Sequence, residues 1–254
     1  MSHSLVELSF KVHRGLETER AVFVSRSDDD GKAFQREKRA VARRTGACDC
    51  RGMRAFADSQ GVVYILYRTA TENTERGETL LVSPRPGADF EVVYSHPWNA
   101  TTCPMSSATL TEGKAGTLAA WETAGQVYFA TIDPKTMQVS MPAAPLAGPK
   151  RKHPMAVANG KGETLFVWTE GTGWNKGGSV VWQLFNEMGT AMPETGRGDG
   201  LPGWGLATGF AKPDGDFVIM YRASLEPPAM RCALKVTRAG LQRAFTGLRR
   251  VHQE

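Results

Sequence analysis

The amino-acid sequence predicts an all-β fold, a β-propeller of about five four-stranded blades with an incomplete first blade. Three observations predict it. Apolar runs are short, rich in Val, Tyr, Phe and Trp, and bounded by Gly, Pro, Asp and Asn, which is typical of strands joined by tight turns. Similar segments return about every 50 residues. The 254 residues, 41% of them hydrophobic, suffice for a single domain with its own core.

The repeat is clearest in four segments that each end in an aromatic anchor. The segments begin at Met53, Met105, Met155 and Trp204, and the anchors are Tyr67, Trp121, Trp168 and Tyr221. Successive anchors are 54, 47 and 53 residues apart, which is the size of a propeller blade. Each segment predicts an inner strand, a glycine-containing turn and a second strand. The residues that follow each anchor supply two outer strands.

The first unit starts inside a blade. Residues 5–11 align with the second strand of the other units, and no innermost strand precedes them. We therefore expect either a ring truncated at its N-terminus, such as a six-bladed one, or a ring that the segment after Leu241 completes. The predicted units of the single domain are 4–47, 48–98, 99–148, 149–200 and 201–246, followed by a tail at 247–254.

Composition narrows the classes of function. The net charge is +5, with basic clusters at 36–44 and 149–152, but no nucleic-acid-binding motif accompanies them, so no nucleic-acid partner is predicted. No apolar run approaches the roughly 18 residues that span a bilayer. The N-terminus has no signal-peptide pattern, which predicts a protein that is not exported, whereas truncation would make a periplasmic or secreted location the expectation. The sequence carries no signal for an oligomeric state.

A loop motif lies between the last two strands of the first unit. It has the pattern S-x-D-x-G-x-x-F, formed by Ser27, Asp29, Gly31 and Phe34. The carboxylate of Asp29 is expected to accept backbone N–H groups, and Gly31 to permit a positive φ. The ring of Phe34 is expected to pin the loop to its sheet.

The next unit carries a second, altered copy of this motif. Ser83, Gly87 and Phe90 keep the pattern, and Arg85 stands in place of the acid. The two copies resemble the Asp box, or BNR repeat, of the sialidase (neuraminidase) superfamily, and the chain resembles bacterial sialidase-like proteins of unassigned function. The resemblance implies that Asp29 has a structural role on the outer rim, away from the central channel where ligands bind.

The resemblance also implies a kind of site. A sialidase needs arginines that grip the substrate carboxylate, a Tyr nucleophile activated by a Glu, and an Asp as acid/base. The candidate substrate-binding arginines are Arg51, Arg54, Arg68 and Arg222, and the candidate catalytic residues are Tyr221, Glu122 and Glu170. The Arg-Ile-Pro motif that opens true sialidases is absent. Exo-sialidase activity, glycan binding without hydrolysis, and salt-bridged strand ends with no ligand all stay open.

A second hypothesis concerns thiols in the loops that enter the inner strands. Cys48, Cys50, Cys103 and His153 lie in three consecutive loops of this kind, and such a set suits zinc or copper. Buried thiols, a disulfide between Cys50 and Cys103 and a structural histidine are the alternative. The sugar chemistry itself requires no cofactor. The alternative to a sugar-directed protein is a non-catalytic interaction or structural propeller, with or without this metal site.

One further loop has a composition that suits sugar binding. The segment GTGWNKGG, residues 171–178, is rich in glycine and predicts a mobile loop after the second strand of its unit. The flat face of Trp174 could stack on a sugar ring. A hairpin whose Trp folds back onto its own sheet is the alternative.

Overall fold

The structure, a computed structural model, describes residues 5–11, 16–48, 53–71, 75–148, 150–223, 232–237 and 240–243, with only the backbone of 5–11, 232–237 and 240–243. These ranges contain eighteen strands and one 3-10 helix, Glu17–Glu19, and no α-helix. The all-β prediction is therefore confirmed. No helix in this part of the chain is long and apolar enough to span a bilayer.

The strands form five antiparallel sheets, each from consecutive strands. The first sheet contains Leu5–Lys11 (β1), Ala21–Ser27 (β2) and Lys38–Arg39 (β3). The second contains Arg54–Ala57 (β4), Val63–Arg68 (β5), Glu78–Ser83 (β6) and Glu91–His96 (β7). The third contains Thr109–Gly113 (β8), Gly116–Thr123 (β9) and Gln126–Ile132 (β10).

The last two sheets have four strands each. The fourth contains Arg151–Ala158 (β11), Thr164–Glu170 (β12), Gly178–Phe185 (β13) and Ala191–Leu201 (β14). The fifth contains Ala207–Ala211 (β15), Phe217–Tyr221 (β16), Cys232–Thr237 (β17) and Gly240–Arg243 (β18). β18 pairs with β17, so the described residues after Leu241 extend the fifth sheet. No described strand pairs with the free edge of β1, the side on which the sequence lacks an innermost strand.

A separate apolar cluster joins each pair of consecutive sheets. Strand β5 is buried along its whole length, because its alternate residues face opposite neighbours: Ile65 packs with β2 of the first sheet, and Leu66 packs with the third sheet. The same alternation in β12 sends Phe166 toward the third sheet and Val167 toward the fifth. Sheets stacked face to face in chain order explain why these strands are almost continuously hydrophobic.

The aromatic anchors have one common role. Each lies in the second strand of its sheet and packs against the preceding sheet, as shown by Tyr67, Trp121, Trp168 and Tyr221. Trp121 and Trp168 are no more than 2% exposed. The repeat that the sequence shows is therefore a repeat of the packing between sheets.

Tight turns between the first and second strands recur with one side-chain device. In the second sheet, Oδ1 of Asp58 accepts the N–H groups of Gln60 and Val62 at 3.0 and 2.9 Å. In the fourth sheet, Oδ1 of Asn159 accepts those of Lys161 and Glu163, both at 3.0 Å. A short acceptor at this position closes the hairpin without lengthening it.

The loop after β2 is organised around Ser27 and Asp29. Oδ1 of Asp29 accepts the Ser27 hydroxyl at 2.7 Å and the N–H of Ala33 at 2.9 Å. These hydrogen bonds, that of Ser27 first, lower the pKa of Asp29. Gly31 has a φ of 82°. Phe34 is less buried than expected: its side chain is 43% exposed, whereas Phe90, in the corresponding loop after β6, is buried.

Candidate functional site

The first strands of the second to fifth sheets meet around a cavity of about 260 Å³. We call it the inner-strand cavity, because β4, β8, β11 and β15 all line it. Its polar lining residues are Arg54, Ser107, Thr109, Thr111, His153 and Thr208. Met155 and Leu206 are among the apolar ones. The cavity therefore lies where the repeat predicts that residues distant in sequence converge.

Four of the lining residues occupy the same register position in their sheets. Each pairs with the residue immediately before an aromatic anchor, and the four are Arg54, Thr109, Met155 and Thr208. Side chains in antiparallel strands alternate between faces. Equivalent register thus presents one side chain from each inner strand to the cavity.

Hydrogen bonds join neighbouring inner strands across the sheet boundaries. Nε of Arg54 donates to the carbonyl of Ala108 at 3.0 Å, linking β4 to the residue before β8. The hydroxyl of Thr111 donates to the carbonyl of Ala156 at 2.6 Å. The N–H of Gly209 donates to the sulfur of Met155 at 3.1 Å. The residues that line the cavity therefore also hold the sheets in their relative positions.

His153 is held on the cavity wall by the loop that enters β8. Its Nδ1 accepts the backbone N–H of Ser107 at 3.1 Å, and its own N–H donates to the hydroxyl of Ser106 at 2.9 Å. Because a backbone N–H only donates, Nδ1 is the acceptor nitrogen, and in the neutral ring the proton lies on Nε2. The imidazole therefore has a fixed orientation and a defined tautomer.

Backbone strain accompanies the entry to the inner strands. Three non-glycine residues near the beginnings of β8, β11 and β15 have positive φ: Met105 at 53°, His153 at 53° and Trp204 at 62°. Each such conformation costs of order 1–3 kcal/mol and tends to occur at functional sites. The strain thus lies at the end of the inner strands where the cavity wall begins.

The described lining of the cavity has a positive charge. It includes the guanidinium of Arg54 and the imidazole of His153, and no Asp or Glu is among the lining residues that the structure describes. Arg54 is exposed, so its charge is accessible to solvent. These described residues suit an anionic or strongly hydrogen-bonding ligand and do not include the paired carboxylates of a glycosidase.

Arg68 and Glu122 do converge, but inside the protein. Nη2 of Arg68 lies 3.0 Å from the Glu78 carboxylate and 3.4 Å from that of Glu122. All three side chains are at most 4% exposed. The ring of Trp98 covers the guanidinium at 5.3 Å. Arg68 and Glu122 therefore join the second and third sheets and are not accessible to a substrate, which differs from the sequence-based expectation.

Glu170 lies in a network of ion pairs at the end of β12. Its carboxylate accepts hydrogen bonds from Arg151 at 3.0 Å, Trp168 at 3.0 Å and Arg197 at 2.8 Å. Partial burial raises the pKa of Glu170. These hydrogen bonds together lower it by a larger amount, so its pKa is below the usual value. The Glu that activates a Tyr nucleophile must accept its proton, and here three donors already occupy the carboxylate. The geometry gives Glu170 a structural role.

The other predicted sugar-site residues that the structure describes are not part of the cavity lining. Tyr221 is partly buried, with its hydroxyl packed against Gly198 of β14. Arg222 is exposed and follows the last residue of β16. Arg51 lies outside the described residues. Among the described candidate residues for sugar chemistry, Arg54 is the one in the cavity lining.

The loop at 171–178 is a tight hydrogen-bonded turn. Gly173 and Lys176 exchange two backbone hydrogen bonds at 3.0 and 3.2 Å. Trp174 at its tip is 71% exposed and packs edge-to-face on Trp204, not onto its own sheet. The partner Trp204 and the hydroxyls of Thr109 and Thr111 were missed by sequence reasoning. The alignment of the inner strands could have indicated them, because all three lie in or just before those strands.

Two of the predicted metal ligands lie close together. The Sγ atoms of Cys48 and Cys103 are 3.7 Å apart, which is too long for a disulfide bond. Cys50 lies outside the described residues. In the part of the chain that is described, no three His, Cys, Asp or Glu side chains are placed to hold a metal ion. Zinc or copper binding by these cysteines and His153 stays a prediction.

Comparison with known proteins identifies the fold type. No protein-family model and no curated protein matches the chain. Among solved structures, an α-L-arabinofuranosidase from Fusarium graminearum in complex with an iminosugar inhibitor is similar, with a TM-score of 0.52 and 13% identity over 85% of this chain and 73% of that one. A polysaccharide lyase, an ulvan lyase of family PL25, has a TM-score of 0.52 and 12% identity over 93% and 68%.

A sialidase relative is more distant. The intramolecular trans-sialidase from Ruminococcus gnavus has a TM-score of 0.44 and 13% identity, over 85% of this chain and 49% of that one. At these identities a likeness concerns the fold, and function depends on the site. The arabinofuranosidase and the ulvan lyase support a fold of the β-propeller type for this chain.

Proposed function

We propose that this chain is a sialidase-like propeller of five sheets whose inner-strand cavity binds an acidic sugar. The observation that carries the proposal is the cavity itself: four inner strands converge on it, and among the lining residues that the structure describes the charged group is the guanidinium of Arg54, with the imidazole of His153 beside it. A guanidinium recognises a sugar carboxylate through paired hydrogen bonds. The hydroxyls of Thr109 and Thr208 add groups that suit sugar hydroxyls.

Binding without hydrolysis fits the geometry better than catalysis. Most glycosidases use two carboxyl groups about 5–9.5 Å apart on either side of the scissile bond. The predicted Glu122 is buried in an ion pair, and Glu170 has a lowered pKa and three hydrogen-bond donors. The similarity to an arabinofuranosidase and an ulvan lyase supports a carbohydrate ligand for this scaffold.

The proposal is tested by calorimetric titration with sialic acid, glucuronic acid, galacturonic acid and the neutral sugar galactose. We expect an acidic sugar to bind and galactose to bind at least tenfold more weakly. The substitutions Arg54→Ala and Arg54→Lys should both weaken binding, the second because a lysine cannot form the paired hydrogen bonds.

The matched control is Arg85→Ala, which removes an exposed arginine from the turn after β6. It should bind acidic sugars like the wild type. If Arg54→Ala and Arg85→Ala bind equally well, or if acidic and neutral sugars are not distinguished, the proposal is wrong.

A further inference from the structure

Two tryptophans stand exposed side by side near the inner-strand cavity. Trp174 is 71% and Trp204 55% exposed, and their ring centroids are 4.8 Å apart at an interplanar angle of 76°. Large aromatic side chains on a protein surface leave a substantial apolar area in water. A pair of them, held together, indicates a surface that binds something.

The two loops that carry these rings are fastened to each other. Nε1 of Trp204 donates to Oδ1 of Asn175 at 3.3 Å. A Cβ atom on Gly203 would lie only 3.2 Å from the carbonyl carbon of Asn175, so the loops approach closely there. The turn around Trp174 is closed by its own backbone hydrogen bonds. The edge-to-face pair is therefore positioned before any ligand arrives.

The backbone conformation of Trp204 is a second indication of a binding surface. Trp204 has a φ of 62° and Asn175 one of 53°. The left-handed region is common for Asn but is an outlier for a bulky residue such as Trp. A glycine at 204 would remove both the strain and the exposed apolar surface. The chain instead keeps a strained, exposed indole, which folding alone does not explain.

Trp204 of the pair lies close along the chain to residues of the cavity wall. Trp204 is two residues before Leu206, and Leu206, Ala207 and Thr208 line the cavity. The ring of Trp174 meets that of Trp204 nearly at a right angle, so the pair presents a ring face and a ring edge. A sugar ring stacks its C–H face on an indole face and keeps its hydroxyls in water.

We propose that Trp174 and Trp204 form a platform for the further units of an oligosaccharide whose terminal acidic unit occupies the inner-strand cavity. This inference rests on the proposed function and adds to it: the ligand is a chain of several sugars, not a free monosaccharide. We name the pair the indole platform. Its contribution to binding should appear only when the ligand is longer than one unit.

The test uses galacturonic acid and its linear oligomers of two to six units. We expect the affinity of the wild-type protein to rise at least tenfold from one unit to about four. The substitutions Trp174→Ala and Trp204→Ala should each weaken oligomer binding about fivefold to tenfold, as expected for loss of one stacked ring, without changing the affinity for the monomer. The control Phe34→Ala removes an exposed ring from the loop after β2 and should change neither affinity.

The indole N–H signals of 15N-labelled protein report on the platform directly. Shifts of the Trp174 and Trp204 signals with oligomers, lost in Arg54→Ala, support both the platform and the cavity. Shifts that persist undiminished in Arg54→Ala support the platform and contradict the cavity proposal. Monomer binding with no gain from longer oligomers and no indole shifts overturns the platform alone. No binding and no indole shift with any oligomer overturns both.

One variant separates binding from folding. Trp204→Gly should melt close to the wild type, because relief of the positive φ offsets the lost contacts of the indole with Asn175 and Trp174. It should nevertheless lose the gain in affinity for oligomers. If Trp204→Gly melts well below the wild type, the indole has a structural role, and the inference from strain is wrong.

Discussion

His96 shows how one side chain links the core to pH. It lies at the end of β7, and its Nδ1 accepts the Nε1–H of Trp121 at 3.0 Å. The rings of Tyr94 and Tyr128 also pack against it, with the Tyr128 centroid 4.8 Å away. Burial among these rings lowers the pKa of His96 from its usual value near 6.5. The folded protein therefore holds the imidazole neutral.

This lowered pKa predicts a loss of stability in mild acid. Below about pH 6.5 the unfolded chain takes up a proton at His96 that the folded chain resists, so the free energy of unfolding falls as the pH falls. The substitution His96→Asn keeps an acceptor for Trp121 but cannot be protonated. We expect the melting temperature of the variant to depend less on pH between 6.5 and 5 than that of the wild type. Equal slopes in both proteins would contradict this role.

At the scale of elements, the second and third sheets are joined by a buried ion pair between strand ends. Arg68 of β5 lies between Glu78 of β6 and Glu122 of β9, with all three side chains almost fully buried. Buried charges are tolerated only when they are paired and hydrogen-bonded. The carbonyl of Arg76 accepts a further hydrogen bond from Arg68 at 2.8 Å.

Removal of the arginine should therefore be costly. We expect Arg68→Met to lower the free energy of unfolding in urea by about 3–5 kcal/mol, because two buried carboxylates lose their cation. The triple variant R68M/E78Q/E122Q should recover most of that loss, since no buried charge of the set remains. A single variant within about 1 kcal/mol of the wild type would mean that the pair adds little.

The thiols of Cys48 and Cys103 predict a crosslink between the loops that enter the second and third sheets. With Sγ atoms 3.7 Å apart, a small movement allows a disulfide. Oxidised glutathione would accept the two electrons and two protons and leave as two molecules of glutathione. Peptide mapping by mass spectrometry should identify a Cys48–Cys103 bond after this treatment. A crosslink from Cys103 to Cys50 instead would contradict this prediction. Zinc or copper content measured before oxidation, while the thiols are reduced, tests the metal prediction.

At the scale of the whole molecule, the sequence predicted the all-β class and the position of the inner strands. The aromatic anchors made this possible, because Trp121 and Trp168 recur for one physical reason, the packing of each sheet on the preceding one. The site was predicted less well. An arginine at a strand end has the same sequence signature whether it is solvent-exposed like Arg222 or buried like Arg68. Whether such an arginine is buried or exposed depends on how the neighbouring sheet packs against it.

The hydrogen bonds between inner strands predict that cavity and fold are coupled. Thr109 and Thr111 donate across the boundary between β8 and β11 at 3.2 and 2.6 Å. We expect Thr109→Val and Thr111→Val each to cost about 0.5–1.5 kcal/mol of unfolding free energy and to weaken sugar binding as the wall shifts. Thr190→Val, on an exposed turn, is the control and should change neither. Unchanged stability in the double variant T109V/T111V would contradict the coupling.

Thr109 and Thr111 both line the cavity and join two sheets, and this affects how the protein can acquire new ligands. A substitution at Thr109 or Thr111 alters recognition and at the same time removes a hydrogen bond between two sheets, so each change of preference at these positions also costs stability. Positions 174 and 204 carry exposed rings and no bond between inner strands. Natural divergence and laboratory libraries alike should therefore find new sugar preferences first at 174 and 204, and reach 109 and 111 only in variants already stabilised elsewhere.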